Sequence, residues 1–229
     1  MTLGRLAVTA LAAALLALFS VQSSFADGGR RPITGEEMLV QDATVDFNCN
    51  PSSISSVTWS ASGVATGPYP GTFTVQGSAM IGPQTSPGPR PGTTAGGLLN
   101  LHETFTIESP LGTVTGVKSR TAPTPGDIGT CQQVTGFSTG PVVGAQGSVV
   151  DIFSQPRYVA QIREPAGNFH DRGDALFNVT ELDLDGTCAG DPCHFRMAAF
   201  DQFFMSTAPP NGHDRNSTDM DDEIENELG

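Results

Sequence analysis

Leu99-Asn100-Leu101-His102-Glu103-Thr104-Phe105-Thr106-Ile107 is the stretch on which the reading of this chain turns. Apolar and polar residues alternate with a period of two, the pattern of a strand with one buried and one wet face. Glu103 breaks it, standing on the apolar parity between Leu101 and Phe105. An acid there is either buried with a raised pKa or the mark of a bulge.

The same period recurs outward from this stretch. Val45, Phe47 and Cys49 alternate with Thr44, Asp46 and Asn48. Val57, Trp59 and Ala61 alternate with Thr58 and Ser60, and Phe73 and Val75 with Thr72, Thr74 and Gln76. Tyr158, Ala160 and Ile162 do so against Arg157, Gln161 and Arg163, and further stretches run over 142–153, 175–184 and 194–204. Between them stand turn formers: Gly67-Pro68-Tyr69-Pro70-Gly71 reads as a hairpin connection. Residues 82–97, rich in Gly and Pro, read as a long exposed loop. About eight to ten short strands without an amphipathic helix predict an all-β domain. The expected architecture is an antiparallel β-sandwich or a related barrel, a jelly roll among them, with no substantial helix outside the leader.

Composition narrows the class. The chain has 229 residues, 27 of them Gly and 17 Pro, without the three-residue Gly period of collagen. Acids outnumber bases 24 to 11, which disfavours binding nucleic acid by neutralising phosphates. The acid excess is concentrated in 206–229, where Asp214, Asp219, Asp221, Asp222, Glu223, Glu225 and Glu227 face a single Arg215. That segment is expected to be a disordered acidic tail.

Residues 1–26 read as a secretory signal peptide. Arg5 precedes a run over 6–21 that is apolar except for Thr9 and Ser20, and Ser24 and Ala26 are the small residues of a cleavage site. The run is shorter than the roughly 20 residues a membrane span needs, and no later segment is long enough to span. The expected organisation is therefore a leader over 1–26, a flexible lead over 27–38, one β domain over 39–205 and the tail. An exported chain with four cysteines predicts two disulfides. Of the three pairings, the Ala-Gly-Asp-Pro turn between Cys188 and Cys193 favours that pair, leaving Cys49 with Cys131.

Candidate sites each have a bland rival. Asp183, Asp185 and Asp191 around Gly186 resemble part of a calcium loop; alternation alone places Asp183 and Asp185 on the solvent face of a strand. Cys188, Cys193 and His194 lack a second close pair of ligands for a metal. Arg172-Gly173-Asp174 reads as a polar turn more readily than as an adhesion triplet. Tyr69, between two prolines at a hairpin tip, is the one candidate for an exposed aromatic platform for a sugar; packing over the end of the domain is its rival. Glu103 and Glu108 would be paired carboxylates for glycoside cleavage, but their parity sends them to opposite faces. No G-x-S-x-G, H-E-x-x-H, P-loop or dinucleotide motif is present.

Ala65-Thr-Gly-Pro-Tyr-Pro-Gly-Thr-Phe-Thr74 and Thr106-Ile-Glu-Ser-Pro-Leu-Gly-Thr-Val-Thr-Gly116 resemble a pattern in exported β-rich proteins of high-GC, actinobacterial-type bacteria. That resemblance implies export and β-structure and brings no catalytic residue. The expectation is a secreted, non-catalytic β-sandwich interaction or structural protein meeting an extracellular partner or a cell-envelope component. A carbohydrate- or calcium-dependent module using Tyr69, Glu103 and the Asp183/Asp185 turn comes second, and a secreted hydrolase third. No cofactor is expected beyond that calcium.

Overall fold

The computed structural model describes residues 31–120 and 126–206. The expected leader over 1–26, the start of the expected lead and the expected tail beyond Ser206 lie outside the described residues. Eleven strands follow one another: β1 (Glu37–Asn48), β2 (Ser55–Thr66), β3 (Gly71–Ile81), β4 (Ser86–Pro87), β5 (Thr94–Ser109), β6 (Gly112–Arg120), β7 (Ile128–Thr139), β8 (Val142–Ser154), β9 (Arg157–Glu164), β10 (Gly167–Cys188) and β11 (Asp191–Ser206). Among the described residues there is no helix, and every strand pairing is antiparallel.

The pairing closes on itself. β1, β2, β3, β5, β6, β9, β10 and β11 form an unbroken ring of neighbours, and β11 returns to β1 through Glu37↔Phe203, Met38↔Gln202 and Leu39↔Asp201. This is the barrel alternative, built as a meander rather than from the Greek keys of a jelly roll. The seam is short because β1 bulges between Val40 and Asp42, which turns the rest of the strand away from β11.

Two strands are long enough to serve two neighbours in succession. β10 pairs with β9 up to Asp174 and with β8 from Phe177. β5 pairs with β6 from Leu101 onward and with β7 at Gly96 and Gly97. The β7–β8 hairpin thus continues the wall where β6 and β9 stop. Beneath it lies a second apolar cluster of Val134, Phe137, Val142, Ala145, Val149, Leu182 and Leu184. The main core fills the ring with Trp59, Phe73, Phe105, Tyr158, Phe177 and Phe204 among its members.

Four sequence expectations shift. The lead is part of the fold: Ile33, Glu36 and Met38 are buried, and Gly35 N–H donates to Phe204 O. The loop over 82–97 is anchored, since Gln84 exchanges hydrogen bonds with the Cys131 backbone and β4 pairs with β5. A bulge between Met80 and Ile81 makes Leu98, not Leu99, the buried partner there. Arg172-Gly173-Asp174 lies inside β10, paired to β9, and no turn presents it.

Both disulfides are formed, Cys49–Cys131 across 82 residues and Cys188–Cys193 across 5. On the chain-entropy account the long loop restricts the unfolded chain far more. Replacing Cys49 and Cys131 together by alanine should cost about 4 kcal/mol and replacing Cys188 and Cys193 about 2 kcal/mol. Urea-unfolding free energies of the two double variants check the order; equal losses would contradict it.

Candidate functional site

One rung of cross-strand partners runs around the barrel: Val45, Trp59, Gly77, Glu103, Lys118, Tyr158 and Gly173. Glycine interrupts its large side chains at two places, Gly77 beside Trp59 and Gly173 beside Tyr158. A Cβ at Gly77 would come within 2.3 Å of the Trp59 ring, and one at Gly173 within 2.7 Å of Tyr158. The glycines make room for rings to lie inward. Glu103, on the inward parity of β5, has the same destination as its apolar neighbours.

Glu103 is fully buried and does not mark a bulge: β5 runs in register through it against both β3 and β6. Its Oε1 accepts from Lys118 Nζ at 2.8 Å. Its Oε2 accepts from Trp59 Nε1 at 2.7 Å and from Gln202 Nε2 at 2.8 Å. Lys118 Nζ also donates to Gln202 Oε1. Lys118, the only lysine in the chain, is 0% exposed, and Gln202 is 3% exposed. The ammonium position lies 4.5 Å from the centre of the Phe204 ring and 5.0 Å from that of Phe105. Burial pulls the Lys118 amine below its ordinary pKa, against the attraction of Glu103. An amine, a carboxamide and a carboxylate therefore meet in a dry, aromatic-lined space.

Glu103 was a candidate ligand-binding residue, and this position corrects it. It is 0% exposed and lines neither of the two depressions on the outer face of β1, β2, β3 and β5, and Glu108, exposed and accepting from Thr113 Oγ1, is on the opposite face. Lys118 and Gln202 were not singled out from sequence. The signal for Lys118 was available: the two-residue turn between Ser109 and Gly112 sets a register that places it opposite Glu103.

Tyr69 also needs correction. It is 0% exposed and offers no face to a sugar, because the lead folds over the hairpin tip. Its N–H donates to Glu36 Oε2 at 2.7 Å, and its hydroxyl lies 2.7 Å from both Glu164 Oε1 and the Arg31 carbonyl. Burial, then Glu164, pushes the phenol well above its usual range. Nearby, Asp171 accepts from Ile33 N–H at 2.8 Å and from the Tyr158 hydroxyl at 3.3 Å, and burial raises its pKa. Glu36 is buried with Oε1 lacking a hydrogen-bond partner, and burial raises it to about 7 despite the Tyr69 N–H.

Asp183 and Asp185 share the solvent face opposite the buried Leu182 and Leu184. His194 lies between them, Nδ1 at 3.0 Å from Asp185 and Nε2 at 3.5 Å from Asp183. Asp191 is carried off by the register, pairing with Cys188 at the hairpin end. Among the described residues no group of three or more His, Cys, Asp or Glu side chains is arranged to hold a metal ion. Cys188 and Cys193 are oxidised.

The open surface is outside. A depression of about 380 Å³ lies on the outer face of β1, β2, β3 and β5. Asp42, Thr44, Ser60, Thr74, Gln76 and Thr104 give it a floor of hydroxyl, amide and carboxylate groups. No protein-family model, curated protein or solved structure matches the chain.

Two outcomes follow from the buried groups. Lys118→Met leaves Glu103 buried without its counter-charge and should cost about 3–5 kcal/mol, part of which Glu103→Leu in the same chain should restore. A double-mutant cycle by chemical denaturation reads the coupling. For Glu36, the folded form keeps a proton that the unfolded carboxyl, with its ordinary value of 4.5, has released by pH 7. Its contribution to stability therefore falls as pH rises between about 4.5 and 7. Glu36→Gln should match the parent at pH 4 and exceed it at pH 8 by up to about 3 kcal/mol. Unfolding curves at the two pH values test this, and equal midpoints at pH 8 would refute it.

Proposed function

We propose that the protein is an exported, non-catalytic β-barrel module that binds a polyhydroxylated polymer of the cell envelope on the outer face of β1, β2, β3 and β5. The observation that carries this reading is the placement of polar groups. The ring's interior is filled by its own side chains, whereas the outer depression is lined mainly with hydroxyl and amide groups, with the Asp42 carboxylate at one side. Such groups donate and accept with sugar hydroxyls and require no charge on the ligand. The two disulfides suit an oxidising compartment, and the leader-like segment over 1–26 supports export.

Thr74→Arg would fill the depression without touching the core, since Thr74 is exposed. Retention on insoluble envelope polysaccharide should fall about tenfold or more, a loss of about 1.4 kcal/mol, with an unchanged melting temperature. Leu111→Arg, on the β5–β6 turn, serves as the control and should bind normally. Retention indifferent to Thr74→Arg would move the contact elsewhere. Release of new reducing ends from the polymer would reject the non-catalytic reading.

A further inference from the structure

We infer that Lys118 and Gln202 are joined in the folded protein by a self-generated amide cross-link, with Glu103 as the catalytic residue that moves the proton. The three groups come from β6, β11 and β5, and neither β6 nor β5 is hydrogen-bonded to β11. Only the interior of the ring brings them together. Lys118 Nζ lies against the Gln202 carboxamide oxygen. The two oxygens of Glu103 divide between the attacking nitrogen and the nitrogen that must leave, each at 2.8 Å.

The chemistry needs four things, and each has a residue. A nucleophilic amine requires loss of the ammonium proton, which the complete burial of Lys118 favours against the attraction of Glu103 and of the Phe105 and Phe204 ring faces. The proton is accepted at Glu103 Oε1. Nζ adds to Cδ of Gln202, and the tetrahedral centre collapses as Nε2 takes a proton from Glu103. Ammonia departs. In sum, one C–N bond forms and one breaks, Lys–NH2 and Gln–CONH2 give Lys–NH–CO–Gln and NH3, and nothing is oxidised or reduced. If the pair starts as ammonium and carboxylate, the third amine proton stays on Glu103, leaving a neutral carboxylic acid.

Four further considerations favour this product. Holding amine and carboxamide in contact removes the entropic barrier to a step that is slow between free molecules. Water, the competing nucleophile, is kept out by side chains that are 0–4% exposed. A buried Lys–Glu ion pair is costly to hold, and the cross-link replaces it with neutral groups. Loss of ammonia to bulk solvent makes the exchange of one amide for another one-way.

Intact mass of the exported wild-type chain, denatured and reduced, decides the matter. The expected value is about 17 Da, the mass of ammonia, below that of its own sequence from the observed N-terminus. Tandem mass spectrometry should place the deficit in a branched peptide joining Lys118 to Gln202. Glu103→Gln, Lys118→Arg and Gln202→Leu should each restore the full mass. Circular dichroism and intact disulfides show whether the variants fold, and the wild-type mass and its mapping need no variant. A wild-type chain of full mass, a deficit mapped to other residues, or a deficit that survives Lys118→Arg would each overturn the inference.

Discussion

A carboxylate held away from water must be answered by everything near it, and Glu103 is the point from which this barrel's interior is organised. Its two oxygens collect three donors from three other strands, Trp59 on β2, Lys118 on β6 and Gln202 on β11. Removing a donor as the barrel folds would leave a buried acceptor oxygen without its partner. The set therefore tolerates little slippage. A one-residue slip of β6 against β5 would turn Lys118 to solvent and bring a side chain of the outer face inward. A two-residue slip would keep every face but carry Lys118 away from Glu103, and against that slip the buried pair is a firmer check than apolar packing.

The same logic operates with lower stakes elsewhere. Asp151 takes a two-pronged contact from Arg90 and a hydroxyl from Thr180, tying the loop before β5 to β8 and β10. Burial pushes Asp127 up, but Arg120, Ser154 and the Gln155 N–H outweigh it and hold the carboxyl below its usual range. Each ties a connection to a strand. At the end covered by the lead the acids are less well matched, and Glu36 keeps a carboxyl oxygen without a partner.

Much of this was legible in the residues, and the failures have physical causes. Alternation revealed the strands, and Glu103 stood out on the apolar parity of its strand, although as a candidate for ligand binding rather than as the core residue it is. The turn between Ser109 and Gly112 implied the Glu103–Lys118 pair, since a two-residue connection leaves one register open. Gln202 could not be found this way, because its approach depends on closing the ring, a contact between the two ends of the domain. Tyr69 looked exposed because a proline-flanked tip usually is; what covers it is a polar segment whose own pattern carried no signal. Leu99 missed its place by one residue because a bulge costs little and leaves no mark in composition.

The three-pair seam between β1 and β11 has a consequence for how the molecule comes to exist. β1 is the first strand of the described domain and β11 the last, so one edge must wait while nearly the whole sheet is assembled. Contacts so distant along the chain are entropically late. During that interval β1 is an open edge able to recruit a strand from another chain. Its bulge and the outward acids Asp42 and Asp46 are features that discourage such recruitment. A chain stopped before β11 would carry that hazard permanently, and would lack Gln202 to satisfy the interior.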